Sequence, residues 1–124
     1  MPVIYASKAK TYEMPGVSFV GLAAPQTGSK ENSAWQFSLD PNTHGTAHHL
    51  TREEIIIVTS GSAVAEIGTD KHEISTGDAI IIPAFTHFKL SNSSSAPVIC
   101  VAVLPIGARA IIDSEPPFTP PWTQ

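Results

Sequence analysis

The sequence lacks the features that mark several large classes of protein. It contains one cysteine in 124 residues, Cys100, which excludes an intrachain disulfide. No apolar run is long enough for a membrane-spanning helix, and the N-terminal residues lack the apolar stretch of a signal peptide. The seven lysines and arginines are scattered, so no basic stripe for nucleic acid forms. We therefore expect a soluble, cytoplasmic domain with neither a nucleic-acid partner nor a membrane partner.

Helical patterning is also missing, and short strands take its place. No window repeats apolar residues at helical spacing over about a dozen residues. Glycines and prolines instead separate short apolar or alternating runs, each of which is typical of a strand. These runs are 17–23, 33–39, 54–60, 62–68, 78–84, 87–92 and 98–104. The pattern predicts an all-β sandwich or closed barrel, built as a single domain over 1–124 with its core at about 17–104.

Two apolar features lie at the expected surface of this barrel. The run 55–58, "IIIV", is apolar at every position, so both faces of its strand need cover. The barrel interior covers one face, and a second sheet or a second subunit covers the other, which favours a homodimer. The proline-rich tail, 105–124, cannot form a central strand. We expect it to run over the surface with Phe118 and Trp122 docked on the domain or on a partner chain, or else to be a free end.

The histidine-rich stretch before the apolar run resembles the first motif of the RmlC-like cupin superfamily. In that motif a glycine precedes a His-x-His pair, and a glutamate is followed by a glycine after six residues. Glu54 and Gly61 have this spacing, and His48 falls on the first histidine position. Asn42 stands where the glycine is usual, and asparagine also tolerates a left-handed turn. Leu50, however, occupies the second histidine position.

A second stretch resembles the second cupin motif. Gly77, Pro83 and Asn92 are in register with it, and "TGDAIIIP" fits a tight turn followed by a buried strand. Phe85 replaces the second glycine of the motif. Phe88 occupies its histidine position, and a histidine lies one residue earlier. The resemblance implies a cupin-type double-stranded β-helix, or jelly-roll barrel, with degenerate metal-binding motifs.

A cupin metal site takes three imidazoles and one carboxylate from inward-facing positions. In strict register only His48 and Glu54 remain here, because Leu50 and Phe88 place hydrocarbon where two imidazoles would lie. Two protein ligands rarely hold a transition metal. A bulge could turn His87 inward, and a divalent metal would then have His48, Glu54 and His87 as ligands. Without such a bulge we expect no resident metal, and the cofactor is left unidentified.

Three functions remain open, and all of them require a small-molecule ligand in the barrel. The first is a metal-independent enzyme of the isomerase, cyclase or lyase type. In that enzyme His48 and Glu54 carry acid–base chemistry, and Leu50 and Phe88 line an apolar pocket. The second is a metal-dependent, dioxygenase-like enzyme with an unusual His/Glu ligand set. The third is a non-catalytic ligand-binding module.

Other polar residues have a position but no settled role. Gln36 alternates with two aromatic residues, and it contacts a ligand if it points inward. His87 either lines the pocket or is exposed at a strand edge. His44 and His49 are expected to face solvent, and His72 falls in a predicted hairpin turn.

Overall fold

The computed structural model describes Met1 to Gln124, and its regular structure is almost entirely β. It has eleven strands, and its three helices are single 3-10 turns, so the all-β prediction is confirmed. None of these helices has the length and apolar character needed to cross a membrane. The strands are β1 Thr11–Met14, β2 Val17–Ala23, β3 Asn32–Leu39, β4 His49–Leu50, β5 Glu54–Ser60, β6 Ser62–Ile67, β7 Asp70–Ser75, β8 Ala79–Ile82, β9 Phe88–Ser91, β10 Val98–Pro105 and β11 Ala110–Ile111. The 3-10 turns are Ala6–Lys8, Pro25–Thr27 and Pro121–Thr123.

The strands form three antiparallel sheets whose order does not follow the chain. The largest sheet has the order β1-β2-β3-β10-β5-β8, and the others are β7-β6-β9 and β11-β4. Strand β10 lies between β3 and β5, although it is far from both in sequence. The chain therefore passes repeatedly between sheets, and the inner faces of these sheets enclose a hollow.

Side-chain alternation along the central strands builds the core. In β10 the residues Val98, Cys100, Ala102 and Leu104 are all 0% exposed, and their neighbours face outward. Burial raises the pKa of the Cys100 thiol to about 12, so this cysteine is a packing residue rather than a nucleophile.

Two non-glycine residues adopt left-handed backbone, and both stand where a cupin motif has glycine. Asn42 has φ 59°, as the motif comparison predicts for this turn. Phe85 has φ 60°, and a bulky residue is strained in that region. Gly61 has φ +86°, and a Cβ atom there would lie 2.5 Å from the carbonyl oxygen of Pro97. Both positions thus adopt the left-handed conformation that usually favours glycine, although neither carries one.

The proline-rich tail docks on the domain. Phe118 exchanges two backbone hydrogen bonds with Ala110, of 2.7 and 3.0 Å. The Trp122 ring stacks on Phe19, with centroids 3.7 Å apart and planes 8° from parallel. Phe118 and Trp122 therefore dock on the domain itself, which is one of the alternatives that the sequence left open.

Two elements differ from the sequence expectation. Strand β1 pairs with β2 and extends the largest sheet beyond the expected core start at residue 17. The segment around His72, predicted as a turn, is strand β7, which pairs with β6 along its whole length. That prediction was wrong because five of the six β7 side chains are exposed, so the strand carries no apolar alternation.

Candidate binding pocket

The hollow between the sheets contains a cavity of about 220 Å³. Fifteen of its twenty lining residues are hydrophobic, and none is a lysine or an arginine. Aromatic rings from β2, β3, β9 and the tail form much of its wall: Phe19, Trp35, Phe37, Phe88, Phe118 and Trp122. The cavity thus offers a ligand mainly hydrocarbon, and it provides no cationic group.

The four motif positions converge on this cavity. His48 and Phe88 lie opposite each other as a β-bridge, with backbone hydrogen bonds of 3.0 and 2.9 Å. Leu50 is in β4, and Glu54 begins β5, where it pairs with Ile82. The side chains of His48, Leu50, Glu54 and Phe88 all line the cavity.

Glu54 is a buried carboxyl group without a cationic partner. The residue is 5% exposed, and burial alone raises its pKa from 4.5 to about 8. No neighbouring charge contributes to this pKa, because the surroundings are hydrocarbon. At neutral pH the carboxyl group therefore carries a proton, and it can donate a hydrogen bond into the cavity.

The His48 imidazole is fixed by its backbone neighbour. Its Nδ1–H donates a hydrogen bond of 2.7 Å to the carbonyl oxygen of Thr46. The ring packs against Phe88 with centroids 4.3 Å apart. Burial lowers the pKa of His48, and the Thr46 hydrogen bond opposes that effect only in part. The neutral ring with its proton on Nδ1 keeps Nε2 as a hydrogen-bond acceptor.

The pocket does not fit the metal site that the cupin motifs imply. Of the four motif positions only His48 and Glu54 carry donor atoms, and the other two side chains, Leu50 and Phe88, are 4% and 5% exposed. A transition metal in a protein usually takes three or more protein ligands. The cluster of three potential ligands that the fold does assemble lies elsewhere and includes neither pocket residue.

Two predicted ligand-binding residues lie outside the cavity. Gln36 is exposed on the outer face of β3, because the neighbouring aromatic side chains take the inward positions. The condition for a ligand contact, that Gln36 points inward, is therefore not met. His87 is 55% exposed, and its Nε2 lies 3.5 Å from a carboxylate oxygen of Asp113. Phe88 takes the inward position next to it, so the ligand set with His48 and Glu54 does not form.

His44 and His49 differ in exposure, and the tail contributes to the cavity wall. His44 is exposed, as expected, whereas His49 is half-buried rather than open to solvent. Sequence reasoning missed the contribution of the tail, because Phe118 and Trp122 line the cavity itself. The sequence does contain a signal for this contribution, namely two large aromatic residues in a proline-rich segment.

Comparisons with known proteins agree with this architecture. Residues 35–104 match the model of a family described as Cupin domain. The polyketide cyclase RemF from Streptomyces resistomycificus is similar in structure, with 20% identity, TM-score 0.75, and coverage of 85% of this chain and 79% of the other. A sugar phosphate isomerase of the cupin superfamily from Silicibacter pomeroyi has 19% identity, TM-score 0.75, and coverage of 92% and 83%.

An RmlC-like cupin from Shewanella frigidimarina is also similar, with 13% identity, TM-score 0.71, and coverage of 83% and 88%. No curated protein sequence matches the chain. At these identities the structural matches establish the fold alone, and they confirm the predicted jelly roll.

Proposed function

The chain belongs to the cupin family, and we propose that it binds a small, uncharged carbonyl compound in its barrel and catalyses acid–base chemistry on it without a pocket metal. One observation carries this proposal: Leu50 and Phe88 stand at two histidine positions of the motifs, beside Glu54 and His48, on the wall of one apolar cavity. The class of reaction is isomerisation, cyclisation or lyase-type elimination.

The lining favours a neutral ligand. A buried carboxylate or phosphate is costly unless a cation pairs with it, and no lysine or arginine lines the cavity. A phosphorylated sugar, the substrate class named for one similar structure, therefore fits this lining poorly. The ligand is also small, because 220 Å³ is below the roughly 300 Å³ at which drug-sized pockets begin.

The two polar groups have complementary roles toward a carbonyl compound. Protonated Glu54 donates its proton to the carbonyl oxygen, and Nε2 of His48 accepts a proton from the adjacent carbon atom. The C–H electron pair becomes the carbon–carbon double bond, and the product is the enol. Return of a proton to carbon and loss of the hydroxyl proton regenerate the ketone, so repeated cycles exchange or relocate hydrogen.

Hydrogen exchange tests this chemistry without knowledge of the natural substrate. 2-Tetralone is a neutral, bicyclic ketone, and NMR in D₂O follows deuterium entry at the carbons beside its carbonyl group. We expect the protein to accelerate exchange, and Glu54→Gln to remove the acceleration while binding of 2-tetralone persists. Glu73→Gln, at an exposed carboxyl group on β7, is the matched control and should leave exchange unchanged. Equal exchange in Glu54→Gln and in the parent protein would refute the acid–base role.

The other two candidate functions give different results in the same experiment. A non-catalytic binding module binds 2-tetralone, measured by calorimetry, without accelerating exchange. A metal-dependent enzyme requires a stoichiometric ion that is lost on Glu54→Gln, which elemental analysis of protein purified without chelator detects. The anionic analogue tetralin-2-carboxylate should bind at least about tenfold more weakly than 2-tetralone, because its charge loses hydration without gaining a cation.

The proposal includes a homodimer formed through the outer face of the largest sheet. Ile57 and Ile81 are 39% and 62% exposed there, and Ile55, Val101 and Val103 lie beside them on neighbouring strands. A two-fold axis through this apolar face would cover it with its own copy. Sedimentation velocity should find a dimer that Ile81→Lys converts to a monomer, whereas a parent protein that stays monomeric at high concentration contradicts the assembly.

A further inference from the structure

Three potential metal ligands meet on the outside of the barrel. One ligand atom each of His49, His87 and Asp113 lies within 4.8 Å of the other two. The two imidazole rings have centroids 4.4 Å apart. Asp113 is 84% exposed, and its carboxylate is 3.5 Å from Nε2 of His87. None of the three side chains lines the barrel cavity.

Two of these side chains, His49 and His87, each lie one residue before a position where the cupin motifs have a histidine. His49 is one residue before the second histidine position of the first motif, and His87 is one residue before the histidine position of the second. The bridge between His48 and Phe88 places 49 opposite 87 in the antiparallel register. Because alternate residues face opposite sides, both shifted imidazoles emerge on the outer face.

The third ligand arrives from the C-terminal segment. Ile111 in β11 pairs with His49 in β4, so the two side chains share one face. Asp113 is two residues beyond Ile111. It begins the turn that follows β11, which the Glu115 N–H closes by donating to the carbonyl oxygen of Ile112 at 2.9 Å, and there its carboxylate reaches the histidine pair. Three separate segments thus contribute one ligand each.

The geometry points to a divalent metal site, and we propose that His49, His87 and Asp113 bind a first-row transition ion such as Zn²⁺. Zinc–nitrogen and zinc–oxygen bonds are about 2.1 Å and Zn²⁺ sites are tetrahedral, so two ligand atoms on one ion lie at most about 3.5 Å apart. The His87–Asp113 distance already satisfies this limit. No separation in the cluster exceeds 4.8 Å, so the ligand atoms must approach by up to about 1.3 Å, and the exposed His87 and Asp113 side chains are free to move that far.

One ring nitrogen of His49 has an unused capacity for an interaction with an ion. Its Nδ1 atom is buried and has no hydrogen-bond partner in the protein. Buried polar atoms are normally paired, so this imidazole can gain an interaction by reorienting toward an ion or a water molecule. Two imidazoles and one carboxylate form a set typical of Zn²⁺ and Fe²⁺ sites with positions left for water.

The bound ion would tie the tail to the pocket rim. Ile112, next to Asp113, lines the cavity, and the two histidines adjoin the cavity residues His48 and Phe88. A metal bridge between these segments would stabilise the closed end of the barrel. The site itself stands independently of the proposed pocket chemistry, because it shares no side chain with it.

Equilibrium dialysis with Zn²⁺, together with the visible absorption of the Co²⁺-loaded protein, tests the site. We expect one ion per chain and a raised Tm in Zn²⁺. Asp113→Asn and His87→Ala should each weaken binding by at least about tenfold, since even residues behind the ligands usually contribute that much. Both side chains are more than half exposed, so these variants should fold as the parent does.

Two controls locate the ion. His72→Ala removes an exposed histidine of β7 that is not part of the cluster and should leave Zn²⁺ binding unchanged. Glu54→Gln removes the pocket carboxylate and should also leave it unchanged. The proposal is overturned if no stoichiometric binding occurs, if Asp113→Asn and His87→Ala bind as tightly as the parent, or if Glu54→Gln abolishes binding. Each of these results leaves the exchange of 2-tetralone to be judged separately.

Discussion

The buried carboxyl group of Glu54 should make the protein less stable at high pH than at low pH. Burial raises its pKa in the folded state from 4.5 to about 8. Between these two values the folded state holds a proton that the unfolded chain has released. The free energy of unfolding therefore falls as pH rises from 4.5 to 8, and this contribution is constant outside that range.

The magnitude follows from the same pKa. The pKa rises from 4.5 to about 8. At about 1.4 kcal/mol for each pKa unit, the cost of ionised Glu54 to the folded state is about 5 kcal/mol. This is a large fraction of the 5 to 15 kcal/mol, roughly, by which most domains are stable. Glu54→Gln keeps the shape and cannot ionise, so the variant should lack this pH dependence.

Urea unfolding of the parent and of Glu54→Gln at pH 5 and pH 9 measures this effect. The variant should gain about 4 kcal/mol relative to the parent between the two pH values, because pH 5 already lies slightly above the unfolded pKa of 4.5. Glu73→Gln, at an exposed carboxyl group, should track the parent at both. If the parent and Glu54→Gln lose the same stability between pH 5 and pH 9, the carboxyl group is not buried as described and the reasoning fails.

Three further predictions concern Phe85, Gly45, and the pair Leu50 and Phe88. Phe85→Gly relieves the φ of 60° and should raise stability by about 0.5 to 1 kcal/mol, whereas Gln36→Gly in exposed strand should lower it by a similar amount, both by thermal unfolding. Gly45→Ala should cost at least about 2 kcal/mol, because its Cβ would collide with the backbone carbonyl oxygen of Leu90 in β9. Leu50→His with Phe88→His, made in a chain that also carries Asp113→Asn, should bind one equivalent of Zn²⁺ by dialysis. An unchanged metal content there would contradict the placement of the four motif positions around one cavity.

Much of the fold follows from the sequence because its central strands have two strong signals. The strands β2 and β5 match the predicted runs 17–23 and 54–60 at both ends. Their apolar content and their flanking turn residues leave few alternatives. Strand β7 was missed because its pairing depends on the hairpin with β6 rather than on burial. The two-residue strands β4 and β11 are too short for any periodicity to mark them.

The pocket was predictable to the extent that strict motif register holds. Counting along the motifs brings His48, Leu50, Glu54 and Phe88 together, and the structure does place all four on the cavity wall. Gln36 faces outward because Trp35 and Phe37 take the inward positions, and an inward His87 would require a bulge, whereas Phe88 takes the inward position next to it. The sequence alone could not show that His49 and His87 are neighbours. Their proximity follows from the antiparallel bridge between His48 and Phe88, which only the structure shows.

A crystal structure of the protein soaked with 2-tetralone tests the central claim most directly. The account predicts the ketone inside the barrel, with its carbonyl oxygen within hydrogen-bond distance of the Glu54 carboxyl group and with no ion bound to His48. Electron density for a metal coordinated by His48 and Glu54 would contradict it. So would a ketone that binds only outside the cavity.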